Sequence, residues 1–418
     1  MNKLVIDGGV PLRGEITVQG AKNAVLPILA ASILADGESV IHNCPWLRDV
    51  EKTGIILSDL GCKVRRENDT LYINSKNINN CKIDEKLMRE MRSSIIFLGA
   101  ILTVFNKAEV GMPGGCPIGL RPIDLHLKAL RQMGVKIIEE FGYLKCECDR
   151  LSGAQIHLDF PSVGATENIM LAAVKADGIT TITNAAREPE IIDLAKFLSL
   201  MGAKIKGAGS SVIVIEGVDK LNPVEYTIMP DRIVAQTYLI AALITGGEIT
   251  LINTVPSHIN SGIALLSEMG AKLRIEDDII QLKSTGKIKN VHIIKTMPYP
   301  GFATDIQSPF MALASVADGT SVFVENMFEN RFRHVDELVR MGADIKVEGR
   351  SAVVRGVERF NGANVEAYEL RGGASLVIAA LNAEGATTIS GVEFIDRGYQ
   401  SIEGNLSKCG AKIKRIYA

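Results

Sequence analysis

A chain of 418 residues with 47% hydrophobic and 22% charged side chains can bury a large core, and its length suits two or three domains rather than a disordered segment. The formal charge is only −2 and no long run of lysine and arginine occurs. That excludes nucleic acid as the main partner, because counterion release needs clustered positive charge. A small anionic ligand needs only a few converging arginines and stays open.

The N-terminus, MNKLVIDGGVPLRGEITVQG, alternates apolar and polar positions and carries Asp7, Arg13 and Glu15. It reads as strands, not as a secretory leader. The run IIFLGAILTVF at 95–105 is too short to span a bilayer. Seven cysteines without a framework fit a reducing cytosol. CEC at 146–148 lacks zinc-knuckle spacing and a nearby histidine pair, so it reads as strand and no metal is expected.

The chain repeats itself. LGCKV, MGVKI, MGAKI, MGAKL, MGADI and CGAKI place glycines at Gly61, Gly134, Gly202, Gly270, Gly342 and Gly410, a period of roughly 70 residues. The third copy is clearest. AQIHLDF is a strand, SVGATENIMLAAVKADG a mostly apolar helix, and TTITN a strand by β-branched alternation. EPEIIDLAKFLSLMG is an amphipathic helix with Pro189 in its first turn and Gly202 at its C-cap, and AKIKGAGSSVIVIEG a hairpin. The unit is therefore β-α-β-α-β-β, with a helix that is apolar nearly all round and so buried on most sides. The sixth copy ends at AKIKRIYA without its last strand, and the N-terminal NKLVIDGG matches the missing piece. Closure of the end on the beginning argues against an open solenoid. It predicts two lobes of three units, residues 21–230 and residues 1–20 with 231–418.

In a repeat protein, function shows where copies deviate. The start of the apolar helix holds Lys22-Asn23, Arg92, Ser162, Asp231-Arg232, Asp305 and Arg371. The loop into the amphipathic helix holds Cys116 and Arg121, then Glu329 and Arg331, then Asp396-Arg397. Both places are helix N-termini, where free backbone N–H groups favour anions. A cation there costs about 0.3–1 kcal/mol at exposed sites. One such arginine reads as a solvated helix start; the matching set predicts a ligand with several negative charges. Cys116 sits in GGCPIGLRP, between glycines and Arg121, surroundings that expose a thiol and lower its pKa.

These residues carry a resemblance. QGAKNAVLPILAA, GGCPIGLRPIDLHL, SVGATENIMLAA, MPDRI, YPGFATDIQ, FENRFRHVDELVRMGA, LRGGASLV and IDRGY together resemble the UDP-N-acetylglucosamine enolpyruvyl transferases (UDP-N-acetylglucosamine 1-carboxyvinyltransferases), from about residue 1 to the end. The resemblance implies an α/β fold, the two-lobed inside-out α/β barrel of the enolpyruvyl transferases. It implies transfer of the enolpyruvyl group of phosphoenolpyruvate to the 3-hydroxyl of UDP-N-acetylglucosamine, the first committed step of peptidoglycan precursor synthesis in a bacterial cytoplasm. It implies no cofactor. By motif, Lys22, Arg121 and Arg397 would hold the phosphate, Arg331 and Arg371 the carboxylate, and Arg92 would join the cationic ring. Cys116 would protonate the methylene carbon and Asp305 would be the base near the sugar hydroxyl. Asn23, Arg121, Pro122, Ile123, Asp124, Leu125, Ser162, Val163, Gly164, Asp305 and Met327 would line the nucleotide-sugar site, with Arg92. Lys22 and Cys116 fall in one lobe and Asp305, Arg331, Arg371 and Arg397 in the other. The resemblance therefore implies closure on the nucleotide sugar, with the Cys116 loop as a lid. Alkylation of the same thiol by an epoxide such as fosfomycin is expected.

The sequence departs from the family pattern twice. Glu369 stands where an aspartate is usual, one methylene longer, and Phe160 replaces a lysine found in some members near the diphosphate. Two rivals share the fold. A shikimate-pathway enolpyruvyl transferase would carry Lys-Ser in place of Lys22-Asn23 and no cysteine at Cys116. A non-catalytic UDP-sugar-binding paralogue would not need Lys22, Cys116, Asp305 and Arg397 together. A nucleic-acid-end cyclase built from the same unit needs a catalytic histidine near the end, and the last histidine here is His334.

Overall fold

The third repeat shows why the sequence folds as it does. In the computed structural model, which describes residues 2–112 and 123–417, strand Gln155–His157 leads into the helix Val163–Ala173 and then strand Ile179–Thr183. The amphipathic helix Pro189–Leu200 follows, and then the hairpin strands Lys204–Lys206 and Val212–Glu216. Ile179–Thr183 pairs in parallel with Gln155–His157 and antiparallel with Val212–Glu216, which also pairs with Lys204–Lys206. Parallel neighbours need a crossover, and the buried helix supplies it. Gly202 ends the amphipathic helix with φ +110°, and Gly61, Gly134, Gly270, Gly342 and Gly410 take φ between +91° and +109°. A residue with a Cβ rarely adopts that backbone, so the signature glycine is what turns each helix into its hairpin.

Among the described residues this arrangement recurs as six four-stranded sheets. Three belong to a unit running from Gly20 to Met229 and three to a unit made of residues up to Gln19 and from Pro230 onward. In the first unit, helix Phe97–Phe105 packs between Lys22–Ala31 and Val163–Ala173 within one apolar core. The approach is close: a Cβ on Gly99 would meet the Asn168 carbonyl oxygen at 2.3 Å, and the Gly99 N–H donates to Asn168 Oδ1 at 2.6 Å. In the second unit, Arg232–Ile244, Gln307–Ala314 and Leu370–Asn382 each touch the other two. In both units the apolar helices are buried nearly throughout, while the amphipathic helices keep an exposed face.

Strand Lys3–Asp7 supplies the strand that the sixth repeat lacks, pairing antiparallel with Ala386–Ser390 and Lys412–Ile416. Two strands pair away from the helix that follows them in sequence. Arg13–Thr17 precedes helix Lys22–Ala31 but pairs with Glu248–Ile252, and Glu225–Thr227 precedes Arg232–Ile244 but pairs with Glu38–His42. Two local features depart from the repeat pattern. A short helix Glu85–Glu90 and a 3-10 turn Arg92–Ile96 come before Phe97–Phe105. The sixth amphipathic helix is broken into Val392–Ile395 and Ile402–Lys408, with Tyr399 buried between them. No helix among the described residues is long and apolar enough to cross a membrane.

Candidate active site

In the unit Gly20 to Met229, Lys22 is the first residue of its helix and Ala21 provides no side-chain cap. The cation is held by an acid from the next helix, Arg48–Asp59: Lys22 Nζ lies 2.8 Å from Asp49 Oδ2, and the Asp49 side chain is 3% exposed. Asn23, one residue on, is half-buried. Ser162 caps the helix Val163–Ala173 by accepting from the Ala165 N–H at 3.3 Å, and Val163 and Gly164 open its first turn. Exposed Phe160 sits just ahead, its carbonyl accepting from the Ser162 N–H. Gly164 faces His126, whose Nδ1 is 2.9 Å from the Asn168 amide, and this links the helix start to Asp124–Gln132. Ile123 precedes that helix, Asp124 starts it exposed, and Leu125 is half-buried. Cys116, Arg121 and Pro122 lie outside the described residues, as does the Arg92 side chain. Burial pushes the thiols of Cys44 and Cys146 up to about 12 and that of Cys62 up to about 11, so these three are not nucleophiles at neutral pH.

In the other unit Asp305, Arg331 and Arg371 come together. Asp305 lies in the 3-10 turn Thr304–Ile306, and its carboxylate spans two guanidinium groups. Arg331 Nη2 is 3.1 Å from Oδ1 and Arg371 Nη2 is 3.5 Å from Oδ2; both arginine side chains are 2% exposed, against 28% for Asp305. Arg331 Nη2 also donates to the Thr304 carbonyl at 3.1 Å, and Arg371 stacks over the Tyr399 ring at 5.3 Å. Burial works against the Arg371 charge, but Tyr399, Asp305 and Asp231 outweigh it and its pKa lies above the ordinary arginine value. Arg331 Nε, Arg371 Nε and Arg371 Nη1 are buried without a hydrogen-bond partner among the described residues. His334, behind Arg331, is held neutral: burial pushes it down to about 4, and its Nδ1 donates to the Arg331 carbonyl at 3.1 Å. Met327 is half-buried, and its N–H donates to Glu325 Oε1 at 2.6 Å. Arg397 is half-buried just after the helix Val392–Ile395.

Two expectations about helix starts need correction. The sequence pattern leaves the N–H groups there free for anions, yet several are already taken. Glu369 caps Leu370–Asn382 by accepting from the Arg371 N–H at 2.8 Å and from the Gly372 N–H, and Asp231 accepts from Ile233 and Val234 at 2.8 and 3.0 Å. The longer side chain of Glu369 thus works locally, with Oε2 also 3.8 Å from Arg331 Nη1. Asp396 faces Arg415 rather than a ligand, in a two-pronged pair at 2.7 and 2.8 Å. Sequence reasoning missed Asp49 and Glu325. Asp49, an acid in the first turn of a helix, reads as ordinary dipole complement, and its partner Lys22, like the Glu325 donors Thr296, Thr304 and Gln307, is distant in sequence.

A third missed group is Glu167, inside Val163–Ala173. It is buried without a partner for Oε1, and burial, with Glu190 and Glu188 nearby, raises its pKa well above the ordinary value. Above the unfolded pKa near 4.5 the native carboxyl therefore keeps a proton that the unfolded chain has lost, so each step up in pH favours unfolding. Glu167→Gln should remove this slope. In chemical denaturation, its stability relative to wild type should improve from pH 5 to pH 8, and an equal difference at both pH values would refute the assignment.

The profile of the EPSP synthase (3-phosphoshikimate 1-carboxyvinyltransferase) family matches residues 6–406. A protein of Caldanaerobacter subterraneus subsp. tengcongensis named UDP-N-acetylglucosamine 1-carboxyvinyltransferase 2 is 54% identical over 416 residues, covering 100% of both chains. One of Symbiobacterium thermophilum named UDP-N-acetylglucosamine 1-carboxyvinyltransferase 1 is 50% identical over 99% of this chain and 95% of its own. The crystal structure of the enolpyruvyl transferase NikO from Streptomyces tendae superposes with a TM-score of 0.90 at 24% identity, over 100% of this chain and 99% of that one. EPSP synthase from Acinetobacter baumannii gives 0.76 at 21% identity with both chains fully covered. The structures show the shared fold, and the profile and the half-identical relatives of equal length show the kinship: the chain belongs to the enolpyruvyl transferase family, in the group of the UDP-N-acetylglucosamine 1-carboxyvinyltransferases.

Proposed function

We propose that this chain moves the enolpyruvyl group of phosphoenolpyruvate onto the 3-hydroxyl of UDP-N-acetylglucosamine and releases phosphate, the first committed step of peptidoglycan precursor synthesis in a bacterial cytoplasm. The observation that carries the reading is the Asp305 carboxylate between buried Arg331 and Arg371, with Arg331 Nε, Arg371 Nε and Arg371 Nη1 left without a hydrogen-bond partner among the described residues. Buried donors without acceptors call for an anionic ligand, and a carboxylate beside a phosphate fits several guanidinium groups at once. The names of the half-identical relatives support the same substrates.

In this reading Asp305 takes the proton of the sugar 3-hydroxyl as its oxygen bonds to C2 of phosphoenolpyruvate. Cys116 delivers a proton to C3, and the double bond becomes a methyl group. Arg331 and Arg371 hold the carboxylate, while Lys22, Arg121 and Arg397, with Arg92, hold the phosphate. A methyl proton then returns to the Cys116 sulfur as phosphate departs from C2, which restores the double bond. Asn23, Pro122, Ile123, Asp124, Leu125, Ser162, Val163, Gly164 and Met327 line the nucleotide-sugar site, to which Arg92, Arg121 and Asp305 also contribute.

The test is acceptor choice. Purified protein with phosphoenolpyruvate should release phosphate when UDP-N-acetylglucosamine is added and not when shikimate 3-phosphate is added. The opposite preference would make this a shikimate-pathway transferase, and binding of the nucleotide sugar without release would make it a non-catalytic paralogue.

A further inference from the structure

Glu325 follows strand Thr320–Val324 and is 1% exposed. Its carboxylate accepts five hydrogen bonds. Oε1 takes the Thr296 hydroxyl at 3.0 Å, the Met327 N–H at 2.6 Å and the Phe328 N–H at 3.1 Å. Oε2 takes the Thr304 hydroxyl at 3.0 Å and the Gln307 amide N–H at 2.9 Å. The Thr296 hydroxyl in turn accepts from the Asn326 N–H at 2.8 Å, so its own proton points to Glu325. Five donors around one buried carboxylate satisfy both of its oxygens, and here the donors are all neutral.

What the five donors belong to gives the carboxylate its purpose. Thr304 and Gln307 flank Asp305 on both sides, and Met327 and Phe328 form the loop that leads to Arg331. One side chain therefore fixes the turn that carries Asp305 to the loop that carries Met327. Arg331 braces the same turn from its other side through the Thr304 carbonyl. We infer that Glu325 is a positioning residue for the acceptor sugar: it sets the placement of Asp305 relative to Met327, and thereby the affinity for the nucleotide sugar. The inference rests on the reaction proposed above, in which those two residues contact UDP-N-acetylglucosamine.

The geometry also says which replacement is tolerated. Glu325→Gln keeps an oxygen for Thr296, Met327 and Phe328. Its new NH2 meets Thr304, whose hydroxyl can accept, and Gln307, whose Oε1 is buried without a partner and reaches the contact when that amide turns over. Glu325→Ala leaves the Met327 and Phe328 N–H groups with no acceptor from this side chain. Thr304→Val removes a single donor and little volume.

The experiment is steady-state phosphate release by the full chain, varying each substrate in turn, at a temperature below the melting midpoint of every variant. Glu325→Ala should raise KM for UDP-N-acetylglucosamine by about tenfold or more and KM for phosphoenolpyruvate much less. Glu325→Gln should restore the wild-type KM, and Thr304→Val should fall between, carrying the test if Glu325→Ala does not fold. A folded Glu325→Ala or Thr304→Val with unchanged sugar KM would overturn the positioning role, as would an equal rise for both substrates. A wild-type chain that turns over neither substrate would overturn the reading of the reaction and this role with it.

Discussion

Asp305→Asn should lower kcat by about 10²–10⁴-fold, the range over which a positioned base contributes. The isosteric amide keeps an oxygen for one of Arg331 and Arg371 but turns an NH2 toward the other and removes the negative charge that both face. Breaking a buried pair from one side costs about 3–5 kcal/mol. Asp305 is 28% exposed, so solvent screening brings the expected loss below that range. Thermal melting and kcat then answer different questions. A kcat loss of several powers of ten in a variant that is still fully folded assigns Asp305 to the proton transfer. A kcat that falls only in proportion to the folded fraction would make Asp305 a structural counter-ion for the two arginines, and the base would have to be sought elsewhere.

The fold was legible because the chain states it six times. A glycine every seventy residues or so, at a backbone angle that only glycine adopts readily, marked each repeat, and the missing last strand pointed to Lys3–Asp7. The cations Lys22, Arg331 and Arg371 were legible for the same reason, since they fall at matching positions of the repeat. Their partners were not. Asp49 meets Lys22 from a different helix, and Asp305 meets Arg371 across 66 residues of sequence. Pairings of that kind come from packing, which no local spacing encodes. Glu325 was hidden in the same way, because its donors come from residues 296, 304 and 307 as well as from its own loop. Glu369 and Asp231 are different: each caps its own helix two and three residues on, a signal that is local and readable. The caps occupy helix N–H groups that the sequence pattern leaves open, and the arginine side chains that follow are what remains for the anion proposed above.

Lys22→Ala should cost both stability and turnover, and the two losses should separate on comparison with Asp49→Asn. Asp49 is 3% exposed and 2.8 Å from the Lys22 ammonium. Truncating the lysine removes the cation from a buried carboxylate, a change that costs about 3–5 kcal/mol. Asp49→Asn keeps a hydrogen-bond acceptor for the ammonium and removes the buried negative charge, so its stability should fall less. Turnover should follow a different order of cause. If Lys22 touches the transferred phosphate, its loss removes one preorganised cation from the developing charge, a term of about 10²–10³ in kcat. The Asp49→Asn change would leave that cation in place but less firmly aimed, and kcat/KM for phosphoenolpyruvate should drop only about tenfold. An Asp49→Asn variant as inactive as Lys22→Ala would mean that the pair acts as a unit and that the acid, not only the lysine, belongs to the chemistry. A Lys22→Ala variant that melts early but turns over normally when folded would make the pair a strut between the helices Lys22–Ala31 and Arg48–Asp59. The phosphate would then rest on Arg397 and the arginines alone.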